Sequence, residues 1–193
     1  LSKKGVEVNL REIDFLNLIK HLESEFYIVD ALEVADHAIT KFKFSSRLYT
    51  SKAKLLIDSG QEELAFDVLD RAEIFGQSFI ETDLLRAKAH IALNELDAAL
   101  KITNDLKYSY RTTEVEQSNI HYVEALIFDS QTEFDQMYDA LEQAVILNPY
   151  NDDAVQKLYS AVKLSRKFSE SIVLNERVIN ENPYSHLAWF NLG

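Results

Sequence analysis

A 34-residue period constrains this chain more than any other feature. Ala31, Ala65 and Ala99 share that spacing, as do Ala38 with Ala72 and Ala53 with Ala87. Asn148-Pro149-Tyr150 returns one period later as Asn182-Pro183-Tyr184. One frame holds all of these, with repeats at 12–45, 46–79, 80–113, 118–151 and 152–185 and a partial sixth at 186–193. Residues 1–11 precede the array as an N-terminal extension, and Glu114 to Gln117 are four extra residues between the third and fourth repeats. A fixed period of this length describes a unit that cannot bury its apolar face alone and must stack on its neighbours.

Each period carries two amphipathic helical patterns. In the second repeat Leu48, Tyr49, Leu55 and Leu56 share one side, and Leu64, Phe66, Val68, Leu69 and Ala72 form a second run. Four glycines and two prolines in 193 residues leave few breakers. That composition favours helix throughout and excludes collagen-like, linker-like and turn-rich β architectures. Gly60 suits the left-handed residue that ends a helix, and Asn94 suits the same role one period later. Ser45, Asn151 and Ser185 stand just before first helices and are expected N-caps. Ala53, Ala65 and Ala72 fall where paired helices cross, because a larger side chain would hold the backbones apart. Phe15, Tyr49, Phe128, Phe134, Phe168 and Trp189 are expected to pack.

This pattern resembles the tetratricopeptide repeat (TPR), a 34-residue helix–turn–helix. Trp189, Leu192 and Gly193 fit the opening W-x2-L-G, and Pro183 matches the closing proline of the repeat before it. Ala31, Ala65 and Ala99 match the small residue that opens the second helix. Met137 and Ser171 depart from it, Leu106 departs from the later alanine, and Lys43 and Gln77 replace the closing proline. The resemblance implies an all-α array of helix pairs stacked in a right-handed superhelix. Its first helices would line a concave groove that binds a peptide or protein segment, with no cofactor and no catalytic machinery. The C-terminal stretch is similar to that of long bacterial multi-TPR proteins, so the chain is expected to be a segment of a longer one. The carboxylate clamp of chaperone-binding members needs a set of Lys, Asn and Arg. Leu16, Lys20, Ser51, Glu81 and Leu85 stand at those places, so no such clamp is expected.

Charge narrows the partners. With 20 Lys and Arg against 32 Asp and Glu, the net charge is −12. Nucleic-acid binding rests on phosphate neutralisation by cations, and attraction to anionic lipid has the same requirement, so neither partner is expected. No apolar run is long enough to span a bilayer. Cysteine is absent, which removes disulfides and thiolate metal sites. A cytoplasmic location is the simplest reading, and the periplasm fits the same composition. The histidines His21, His37, His90, His121 and His186 have no metal-ligand spacing, and the four glycines form no phosphate loop. Carboxylate neighbours such as Glu62-Glu63 and Asp152-Asp153 sit at helix starts, where they favour the macrodipole. No catalytic, metal or cofactor residue is therefore assigned.

The charges are not evenly spread. Lys20, Lys54 and Lys88 occupy the ninth place of three successive first helices, which the resemblance turns toward the groove. Leu126 and Ser160 hold that place later. On the second helices Asp36, Asp70, Asn104, Glu142 and Glu176 form a column expected to face outward. Leu84, Leu85, Tyr122, Val123 and Leu126 make an apolar stretch that serves either a ligand or packing between first helices. The resulting expectation is a non-catalytic scaffold that binds an acidic protein or peptide segment. The alternatives are self-association through an open C-terminal end, and an accessory domain of a larger protein whose enzymatic part lies elsewhere.

Overall fold

The computed structural model describes residues 10–76, 79–108 and 112–192. Residues 1–9 of the expected extension, Gln77 and Gly193 lie outside the described residues. Among the described residues every regular element is a helix: α1 (Glu12–Ser24), α2 (Ile28–Lys41), α3 (Ser46–Asp58), α4 (Glu62–Phe75), α5 (Phe79–Ala92), α6 (Leu96–Lys107), α7 (Glu114–Ser130), α8 (Phe134–Leu147), α9 (Asp152–Ser165), α10 (Phe168–Glu181) and α11 (His186–Leu192).

The helix ends follow the local chemistry. Ser45 accepts from the Leu48 amide at 3.3 Å, Asn151 from Ala154 at 3.2 Å and Ser185 from Ala188 at 3.3 Å, so all three expected N-caps form. The four extra residues do not make a loop. Thr113 and Glu116 form a capping box, with the Thr113 hydroxyl accepting from the Glu116 amide at 3.2 Å and the Glu116 carboxylate accepting from the Thr113 amide at 2.8 Å. The helix therefore starts at Glu114 and runs 17 residues, about one turn longer than its counterparts.

The first helix of each pair ends on a left-handed residue. Phe26, Gly60, Asn94, Thr132 and Arg166 have φ of 61°, 73°, 59°, 61° and 61°. At Phe26 the amide donates to the Glu23 carbonyl at 3.0 Å, and the Tyr27 amide donates to the Leu22 carbonyl at 2.8 Å. This is a Schellman motif, and the same two bonds recur after α3, α5 and α7. Gly60 fits without strain, and a Cβ there would meet nothing within 4 Å. Gly60→Ala should thus destabilise through the backbone alone, by about 1 kcal/mol. Urea unfolding followed by circular dichroism measures this, and a stabilised variant would contradict it.

The chain forms two compact units, Leu1–Leu85 and Arg86–Gly193. In the first, α1 pairs with α2 and α3 with α4, and α1 lies beside α3. Phe15, Ile19, Leu48 and Leu55 close on the alanines Ala31, Ala35 and Ala38, all buried. In the second, α7 pairs with α8, α8 also meets α9 and α10, and α9 lies beside α11. Its centre is Tyr138, Leu141, Val155 and Leu158. The periodic alanine columns are fully buried at Ala31, Ala65 and Ala99, at Ala38 and Ala72, and at Ala53 and Ala87. At Met137 and Ser171 the same column is still buried, with a larger or polar side chain.

Polar links repeat as well. The Ser46 hydroxyl donates to the Ala72 carbonyl at 2.9 Å, and in the second unit Ser118 donates to Ala144 at 2.8 Å. Asn151 in turn donates to the Ser118 hydroxyl at 2.9 Å, so this buried network is internally satisfied. Phe15 and Tyr49 are buried, and Phe128 and Phe134 are half-buried against the second core. Phe168 departs from expectation at 55% exposure. It opens α10, and the inward positions of that helix are taken by Ser171, Leu174 and Val178. Trp189 is also 55% exposed, with its indole N–H donating to the Pro183 carbonyl at 3.0 Å.

Candidate functional site

The first unit holds a cavity of about 600 Å³ between α1 and α3. Helical spacing builds it. On α1, Ile13, Leu16, Lys20 and Glu23 follow one another at three or four residues and so share a face. On α3, Thr50 and Ser51 stand three and four residues after Arg47 and four and three before Lys54, and Glu81 contributes from the first turn of α5. The repeat period sets the register across helices: Ile13, Arg47 and Glu81 occupy one place in the repeat, and Lys20 and Lys54 another.

Charges in the cavity are partly compensated. The Lys54 ammonium lies 2.6 Å from the Glu23 carboxylate. Both ends of this pair reach solvent, so it contributes about 0–1 kcal/mol. Lys20 and Arg47 are exposed and have no ion pair among the described residues. Three cations thus face two carboxylates, Glu23 and Glu81, on a chain whose net charge is −12.

The expected site residues divide among different environments. Lys20 and Lys54 line the cavity of the first unit. Lys88 belongs to the second unit, where its ammonium sits 5.2 Å over the Tyr122 ring, a cation–π contact. Tyr122 and Leu126 are half-buried. Leu84, Leu85 and Val123 are buried, Val123 at 1% exposure, so of the two readings open for this stretch packing takes these three. Leu85 joins the core of Ala53, Leu56, Ala65 and Leu69. The outward column is exposed at Asp36, Asp70, Asn104 and Glu176 and half-buried at Glu142.

Sequence reasoning passed over Arg47, Ile13 and Phe26. Each carries a signal in the period. Arg47 follows Ile13 by one period and both line the cavity, and Phe26 precedes Gly60 by one period. Among the described residues no helix is long and apolar enough to cross a membrane, and no three side chains form a metal-binding group.

Comparison with solved structures places this architecture. The TPR protein TTC0263 of Thermus thermophilus is similar with a TM-score of 0.71 at 15% identity, covering 94% of this chain and 97% of that one. MamA from Desulfovibrio magneticus, residues 41 to its end, is similar with a TM-score of 0.52 at 12% identity, covering 91% of this chain and 97% of that one. The fold is that of the tetratricopeptide-repeat proteins. No protein-family model matches the sequence, and comparison with curated proteins gives no significant match.

Proposed function

We propose that this chain is a non-catalytic interaction scaffold whose first unit takes an extended acidic peptide or protein segment in the cavity between α1 and α3. The observation that supports this is the gathering of Lys20, Arg47 and Lys54 in one cavity of a strongly acidic chain. Carboxylates of a partner would meet Lys20 and Arg47 directly and compete with Glu23 for Lys54. Lys88, over Tyr122 in the second unit, offers a further cation beside an aromatic face.

Each exposed contact would contribute about 0–1 kcal/mol. Affinity is then weak to moderate, and it falls with salt because the Debye length shrinks from about 10 Å at 0.1 M to about 3 Å at 1 M. The test is fluorescence anisotropy with short labelled peptides that differ only in charge, at two salt concentrations. The acidic peptide should bind best and weaken with salt. Lys20→Glu with Lys54→Glu should abolish binding while the helical circular dichroism stays, and Lys88→Glu, measured separately, reports whether the second unit takes part. Equal binding of acidic and neutral peptides, or an unaffected double variant, refutes the reading.

A self-assembly role has one supporting observation, the exposed apolar side chains Ile172 and Val173 on α10 and Phe190 on α11. Sedimentation over a range of concentrations tests it.

A further inference from the structure

Phe26 sits oddly for its place in the repeat. The turn after each first helix requires a positive φ, which glycine adopts freely, asparagine tolerates and a bulky residue adopts rarely. Gly60 and Asn94 meet the requirement, and Thr132 and Arg166 occupy it with polar side chains. Phe26 alone among these five places a large apolar side chain there, and that ring is 88% exposed. The turn makes no use of it, since both Schellman hydrogen bonds are between backbone groups. An aromatic ring left in water forgoes the burial that normally stabilises it. An observed backbone outlier of this kind is a reason to look for a function nearby. Phe26 lines the same cavity as Lys20, Arg47 and Lys54.

We infer that Phe26 is a ligand-contact residue: its ring receives an aliphatic or aromatic side chain of the same segment whose carboxylates meet the cavity cations. The inference rests on the acidic-segment reading above and adds the second half of the recognition. Ile13 and Leu16 line one part of the cavity wall and Phe26 follows Glu23 at the other end of α1, so the cations are flanked by apolar surface. From Lys20 to Phe26 the chain advances about 9 Å at the helical rise. An extended segment covers that distance in about three residues. The partner is therefore an acidic segment with an apolar side chain about three residues from its carboxylates.

A ligand contact and a structural residue at this position respond in opposite ways to one substitution. Phe26→Gly relieves the left-handed strain and removes almost no packing. The melting temperature should stay the same or rise, while binding weakens. The probe is a short fluorescein-labelled Gly/Ser peptide with two adjacent glutamates and a leucine about three residues beyond them. Its controls replace the leucine by alanine or both glutamates by glutamine. The wild-type chain should bind the leucine peptide about fivefold tighter than the alanine peptide. In Phe26→Gly that preference should vanish, with the response to Lys20→Glu and Lys54→Glu unchanged in direction.

Retention of the leucine preference in Phe26→Gly overturns the inference, as does a lowered melting temperature without loss of binding. A dimer that Phe26→Gly turns into a monomer, seen by light scattering, also overturns it by assigning the ring to a second copy. No binding of the leucine peptide up to about 1 mM overturns it too. Failure of the underlying reading looks different: the glutamine peptide then binds as tightly as the glutamate peptide, whatever Phe26 does.

Discussion

Replacing Leu141 by alanine should lower the free energy of unfolding by about 2–5 kcal/mol. Leu141 is fully buried on α8, the helix that meets α7, α9 and α10. Part of the loss is transfer of the side chain out of water, and part is the cavity left behind. Core residues of the facing helices, Ala125 on α7, Val155 and Leu158 on α9 and Leu174 on α10, are held by those helices and can collapse only partly into it. The size of the effect follows from that restraint, because the cost grows with the volume that stays empty. In a stacked array each repeat leans on its neighbours, so the same substitution should speed amide exchange on α9 and α10 as well as on α8. Chemical unfolding and hydrogen exchange measure both. A loss below about 1 kcal/mol would show that α8 repacks freely and that the core assigned to the second unit is wrong.

The second large effect is at Glu124. This carboxylate is buried on α7, 2.7 Å from the Lys107 ammonium on α6 and 3.0 Å from His121 one turn earlier. Burial pushes its pKa up, but the hydrogen bonds from His121 and Lys107 and their charges outweigh burial and hold it below the ordinary glutamate range. A carboxyl with a folded pKa below its unfolded value stabilises the fold above the unfolded value, near about 4.3. That contribution is lost as pH falls through the folded value. Glu124→Ala should therefore cost about 1–3 kcal/mol at neutral pH. The cost stays below that of a fully buried broken pair, because Lys107 at 35% and His121 at 21% side-chain exposure can turn to water. The variant should also lose less stability than the wild type between about pH 4.3 and the acid limit. Urea midpoints across that range check the sign. A variant whose acid limb is as steep as the wild type's would mean that folding does not lower the pKa of this carboxyl.

This ion cluster also shows where sequence reading stops. Glu124 and His121 are three residues apart, which any helix brings together. Lys107 arrives from another helix across residues that include the four extra positions. What the period does not give is the chemistry of the pair: the same two places of the repeat hold Ile39 and Lys52 earlier in the chain and Val145 and Leu158 later.

The repeat itself was legible because it rests on local chemistry and fixed spacing. Small residues one period apart mark the helix crossings, and Ser45, Asn151 and Ser185 announce helix starts through short-range hydrogen bonds. The division of the groove residues was not legible. Lys20 and Lys88 hold the same place in the repeat, yet one lines an open cavity and the other rests on Tyr122. Leu84 and Val123 read as groove-facing as well as Leu126 does, and are buried.

Amino-acid order alone determined the all-helical class, the helix pairs, the N-caps at Ser45, Asn151 and Ser185 and the left-handed turns at Gly60 and Asn94. Those features depend on residues within a few positions of one another, or on one spacing repeated. Tertiary structure decided which side chains keep access to solvent, which lysines meet carboxylates and which apolar residues vanish into the core. Those outcomes depend on the neighbouring helix's side chains, whose sizes and charges change from repeat to repeat while the period does not.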